Sequence, residues 1–224
     1  MPDSPAPHSR SSVVRAGHLA DHPTLLAGVA APDPAVRAAA LGGLARSGAL
    51  TADQLLEAGG DPNPTVRRRA ASISGTAVGA QRDPGAALVL RLLADPDPAV
   101  CDWACWAAGE RPDAADALVG PLVALAGGHD DALVREAAVA ALGSLAHPGG
   151  RDAVLAACDD VATVRRRAVL ALVVFEGPEV DAALARLAGD RDWQVRQAAE
   201  ELGDVGEPTV WDANGAKPLN PTVE

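Results

Sequence analysis

The sequence predicts an all-α protein, a right-handed α-α superhelix of about six stacked helix pairs. Two observations carry this. One segment recurs six times, aligned on Val36, Val66, Val100, Val134, Val164 and Val195, at separations of 30, 34, 34, 30 and 31 residues. A unit repeated at that interval is one supersecondary element that buries its apolar face only by stacking on its neighbours. The second observation is what the apolar 48% is made of: about fifty alanines, no Tyr, one Phe, four Trp and a single Met at position 1. A core of Ala, Leu and Val suits closely packed helices and argues against a β-sandwich or barrel.

Residues 1–12 read as a flexible N-terminal tail, rich in Pro and Ser and without the apolar run of a secretory signal. Residues 13–203 form the solenoid. Val13–Ala20 is a covering half-repeat, and Pro23–Ala30 is the helix preceding the first copy. Each copy then opens on an N-cap three positions before its valine: Asp33, Asn63, Asp97, Asp131 and Asp192, with Asp160 one place earlier in the fifth. Pro34, Pro64 and Pro98 follow at the first helical position, where a missing N–H is harmless. Four positions after the valine stand Ala40, Ala70, Ala104, Ala138, Ala168 and Ala199, small residues that let a neighbouring helix approach.

The intervening stretches are helices too. They are Thr51–Gly59 behind a capping threonine, Pro84–Ala94 after Asp83, Ala114–Ala126 with a kink at Pro121, Arg151–Ala157 and Pro178–Ala188. Helical periodicity stops after Gly203, and residues 204–224 form a C-terminal tail.

Segment Asp131–Gly143, with its Asp, Val-Arg, Ala-Ala and Ala-Leu-Gly in sequence, resembles the HEAT repeat, in particular the short type of phycobilisome-lyase-like proteins. The resemblance covers about Pro23 to Gly203. It implies an armadillo-type solenoid in which the second helix of each pair lines the concave face. The repeated columns are structural, so the resemblance implies a fold and leaves function to be sought elsewhere.

Charge narrows the function classes. Thirty acidic against 19 basic residues give −11 and a pI near 4.8, which argues against a general nucleic-acid binder. No apolar stretch reaches the length of a membrane span. Three cysteines make no disulfide framework and favour a reducing, cytoplasmic setting.

If repeated columns are structure, function sits where a copy departs from them. The third copy departs most: directly after its valine it has Cys101 where the other copies have Arg37, Arg67, Arg135, Arg165 and Arg196, and it carries Trp103 and Trp106 three residues apart, on one side of the helix. The pair reads either as a partner anchor or as filling between repeats. Arginine triplets at Arg67–Arg69 and Arg165–Arg167 read either as cationic patches or as a ladder arginine with two solvated companions. Cys101 and Cys105 read as buried thiols; with His129 alone nearby they do not make a zinc set.

These observations predict a cytoplasmic, non-enzymatic HEAT-repeat adaptor or scaffold that binds a protein partner on its concave face. Its contact centre is Asp102, Trp103, Trp106 and Glu110, with Arg69 as a cation–π neighbour of Trp103. No cofactor, metal or membrane partner is expected, and the oligomeric state is left open. The alternatives are enzymatic. Trp106, Glu110 and Trp193 are similar to the Trp-plus-carboxylate site of HEAT-like alkylpurine DNA glycosylases, which implies Glu110 as the catalytic carboxylate; a bilin-lyase-like helper is the other. Deoxyhypusine hydroxylase, also HEAT-like, holds iron through His-Glu pairs. This sequence has Arg135-Glu136 at the matching place and no His-Glu dipeptide.

Overall fold

The computed structural model of the protein describes residues 9–76 and 86–205. Among them the chain forms thirteen α-helices and no strand. They are α1 (Arg10–Leu19), α2 (His22–Val29), α3 (Pro34–Arg46), α4 (Ala52–Ala58), α5 (Pro64–Thr76), α6 (Ala87–Leu93), α7 (Pro98–Gly109), α8 (Ala115–Gly128), α9 (Ala132–Leu145), α10 (Arg151–Ala157), α11 (Ala162–Leu172), α12 (Pro178–Leu187) and α13 (Trp193–Val205). From α2 onward they pair as six antiparallel units, α2/α3 through α12/α13, and α1 packs on α2 and α3 as a cover. Helices α1, α3, α5, α7, α9, α11 and α13 stack directly on one another in one long row. The molecule is an α-solenoid.

The two repeated apolar columns form the spine of that row. All six column valines and all six column alanines are buried. The caps follow the repeat as well. The carboxylates or amide of Asp33, Asn63, Asp97, Asp131 and Asp192 accept from the backbone N–H two residues on, at 2.8–3.0 Å. Thr51 and Gln54 close a capping box on α4. Asp83 and the start expected at Pro84 lie outside the described residues. At the ends, α1 begins at Arg10 and α13 runs to Val205, so the helices overrun the expected limits at 13 and 203. Pro121 lies inside α8, as the sequence placed it.

One cap is corrected. Asp160 does not cap α11, whose N-cap is Val161 with no side-chain bond. It acts instead as a rung of a ladder. Arg37, Arg67, Arg135 and Arg165 each fork onto one carboxylate at the start of the next copy, Asp61, Asp95, Asp160 and Asp190, at 2.6–2.9 Å. The remaining guanidinium nitrogen ties down the loop before its own helix, as Arg67 does on the carbonyls of Asp61 and Pro62. Each arginine therefore holds its own turn and clamps the following repeat, in a bidentate geometry mostly withdrawn from water.

The ladder is broken once. Cys101 Sγ donates to the Asp95 carbonyl at 3.0 Å, keeping the hold on its own loop, but it has no arm to reach the fourth copy. At the place where a rung carboxylate would stand is His129, whose Nδ1 accepts from the Asp131 N–H. Asp61, Asp95 and Asp190 accept that same bond in their own loops. The missing donor and the missing acceptor go together.

Candidate functional site

The break lies at α7, which carries both central tryptophans. Trp103 and Trp106 meet edge to face, centroids 5.6 Å apart and planes at 81°, an arrangement favoured by the ring quadrupoles. They are 39% and 38% exposed, near the middle of the row. The ring of Trp106 rests on α5 at Gly75, where a Cβ would stand 2.5 Å from Cζ3. Only glycine leaves room for it. The pair is thus half packing between repeats and half open surface.

A cavity opens on each side of the pair. The first, of about 320 Å³, is lined by Asp102, Trp106, Glu110, Leu133, Glu136 and Arg167 among others. Its carboxylates crowd one another: burial, then Glu136 and Asp131, push the Asp102 carboxyl above the usual range. Arg167 answers in part, donating to Glu136 at 3.3 Å. Glu110 is exposed and stands as the C-cap of α7 rather than within its last turn, yet its side chain still faces this space.

The second cavity, of about 340 Å³, is lined by Ala38, Thr65, Arg68, Arg69, Ser72 and Trp103. Its sign is opposite. Burial, then Arg46, Arg68 and Arg10, lower the pKa of Arg69. No carboxylate pairs with Arg46, Arg68 or Arg69 among the described residues.

The five residues singled out in the sequence are therefore divided between two sites. Asp102, Trp106 and Glu110 share the acidic cavity; Arg69 and Trp103 share the basic one. Trp193, 61% exposed at the start of α13, lines neither. Sequence reasoning missed Glu136, Leu133 and Arg46 as site residues, and it offered Arg68 only as part of one alternative, the cationic patch of Arg67–Arg69. A signal existed for Glu136: Arg68, Asp102 and Glu136 all stand two positions after their column valines, so one column lines both cavities.

The thiols are withdrawn from chemistry. Cys101, Cys105 and Cys158 are buried, and burial raises all three pKa values, that of Cys158 to about 11. Among the described residues no group of three His, Cys, Asp or Glu is placed to hold a metal ion. No helix among them is long and apolar enough to cross a membrane.

Residues 85–173 match the family model of HEAT repeats. No curated protein matches the chain in sequence. Solved structures do match in shape. A designed armadillo repeat protein in complex with the peptide (KR)4 aligns at TM-score 0.61 and 17% identity, over 84% of this chain and 100% of that one. A second designed armadillo repeat protein aligns at 0.57 and 18%, over 81% and 98%. An engineered protein aligns at 0.57 and 18%, over 82% and 95%. The chain shares the HEAT/armadillo-type solenoid fold with these proteins.

Proposed function

We propose that the protein is a non-enzymatic repeat adaptor that takes an extended segment of a partner protein along its long-helix row, centred on Trp103 and Trp106. One observation carries this reading. A chain with only five aromatic residues presents two of them, half-exposed and touching, at the junction of two cavities of opposite charge. Tryptophan in a partly enclosed, central position is the residue type most enriched at binding hot spots. The designed armadillo neighbour in complex with (KR)4 supports the same use of this architecture. The repeat spacing of 30 to 34 residues supports assigning the copies to the short, phycobilisome-lyase-like type, and the three buried thiols support a reducing, cytoplasmic setting.

A displayed peptide library panned against the full chain tests the adaptor reading. Selected peptides are expected to lose about tenfold in affinity, roughly 1.4 kcal/mol, on Trp106→Ala or Trp103→Ala, with helical circular dichroism kept. Peptides that bind both variants as tightly as the parent, or no enrichment at all, would sink it.

A second reading, the alkylpurine glycosylase, is favoured by one feature: Glu110 and Trp106 share a cavity beside an arginine-rich flank. Against it stand Asp102 and Glu136 in the same cavity, which repel a phosphate backbone. Release of an alkylated base from duplex, abolished by Glu110→Gln, would establish this reading over the adaptor.

A further inference from the structure

The arginines beside Trp103 are arranged around an absence. Gly42 lies on α3 between two guanidinium groups. The position its Cβ would take is 3.4 Å from Arg46 Nη1 and 3.7 Å from Arg69 Nε. Arg46 Nη2 in turn stands 3.0 Å from the place a Cβ would take on Gly17 of α1. Two glycines thus clear the ground on which like charges from α3 and α5 converge. Arg68 adds a third guanidinium to the adjoining cavity, and the hydroxyl-bearing Thr65 and Ser72 line it as well. Three arginines with which no carboxylate among the described residues pairs are repelled by one another. An incoming anion relieves that repulsion.

The repeat explains why the carboxylate is missing. In the fifth copy the third arginine of the triplet, Arg167, reaches back to Glu136, two positions after the valine of the preceding copy. The residue matching Glu136 in the first copy is Ala38, which lines the basic cavity. Arg69 therefore stands where Arg167 stands, with Ala38 in the place of Glu136 and no carboxylate paired with it among the described residues.

We propose that Arg46, Arg68 and Arg69 anchor a run of carboxylates in the partner, so that the segment bound along the row is an acidic peptide that meets Trp103 at the end of the patch. This inference rests on the adaptor reading and gives that partner its chemistry. The surroundings favour an acidic peptide over a nucleic acid. A nucleic-acid strand is negative at every phosphate, and one copy further on it runs into Asp102, Asp131, Glu136 and Glu110. A short carboxylate run fits the patch and stops before them.

The test uses the full chain and fluorescein-labelled poly-Glu, poly-Gln and poly-Lys peptides of equal length, with a single-stranded oligonucleotide alongside. Binding is read by fluorescence anisotropy at low and high salt. Poly-Glu is expected to bind more tightly than the other three probes and to weaken as salt rises. The double variant Arg68→Gln/Arg69→Gln is expected to lose about tenfold or more for poly-Glu, and Arg46→Gln to lose a smaller factor. Arg166→Gln, at the matching place in the fifth copy, is expected to bind as the parent does. These arginines are exposed, and circular dichroism checks that each variant folds.

Unchanged poly-Glu binding by the double variant overturns the proposal, as does poly-Gln binding equal to poly-Glu. Tighter binding of the oligonucleotide makes the patch a nucleic-acid surface and overturns it too. Library-selected peptides that depend on Trp106 but ignore Arg68 and Arg69, with no poly-Glu binding, leave the adaptor reading standing and this one fallen. Peptides indifferent to both tryptophans defeat the adaptor reading itself.

Discussion

The second and fifth copies carry the same arginine triplet and use it differently. In both, the first arginine is a ladder rung: Arg67 forks onto Asp95 and Arg165 onto Asp190. In the fifth copy the third arginine is also neutralised, by Glu136. In the second copy its counterpart, Arg69, lies among Arg10, Arg46 and Arg68. Identical local sequence yields a structural element in one place and an unneutralised surface in the other. The difference is set by one residue of the preceding repeat, Glu136 against Ala38.

What the two copies share is expected to give the largest effect. Asp61 and Asp95 are pushed up by burial, but hydrogen bonds from Arg37 or Arg67 and from the backbone outweigh it and hold their pKa values below the usual carboxylate range. Hydrogen bonds from Arg135 and Arg165 do the same for Asp160 and Asp190. A depressed folded-state pKa contributes stability that is present above the unfolded value and lost as pH falls through the folded one. Urea midpoints are therefore expected to hold near neutrality and to fall steeply below about pH 4. Asp102, raised by burial and its acidic neighbours, works in the opposite sense and softens the drop only slightly. A midpoint that stays flat down to about pH 3 would show that the ladder carbonyl bonds, and not its charges, hold the stack.

Next in size are single rungs. Arg67→Ala and Arg165→Ala are each expected to cost about 2–4 kcal/mol, because each strands a largely buried carboxylate and frees a loop. Equal losses would confirm that the two triplets share their first member. A loss under about 1 kcal/mol in urea titration would break that equivalence.

A smaller change sharpens the difference itself. Ala38→Glu supplies the second copy with the carboxylate that Glu136 supplies to the fifth, and is expected to weaken poly-Glu binding about tenfold, roughly 1.4 kcal/mol. Binding that survives this substitution would mean that Arg69 takes no part in holding the anion. The smallest effects belong to the third arginines. Arg167→Gln is expected to lose up to about 0.5 kcal/mol of stability with its half-exposed ion pair. Arg69→Gln is expected to lose none, and to gain slightly as like charges separate. Thermal melts at low salt distinguish them.

Much of the fold was legible because a repeat prints its geometry many times. The caps Asp33, Asn63, Asp97, Asp131 and Asp192, the buried valine and alanine columns and the arginine ladder each recur at fixed spacing, and each does what that spacing implies. Asp160 was misread because its loop places it four positions before the valine, between the cap column and the rung column. Only the reach of Arg135 shows that it serves as a rung. The site was legible in part. Two tryptophans three apart had to share a helix side, but their exposure depended on Gly75 of another helix, whose missing side chain seats Trp106.

The primary sequence alone settles whatever repeats: helix pairs, their caps, the close-packing columns and the arginine rungs. Local hydrogen bonding and the 3.6-residue period act within a few residues, so six aligned copies reveal them. Stacking settles whatever passes between copies, since residues about 30 positions apart meet only when two helices are laid side by side. Whether an arginine faces Glu136 or Ala38 is a matter of that meeting, and so is the sign of the surface on either side of Trp103 and Trp106.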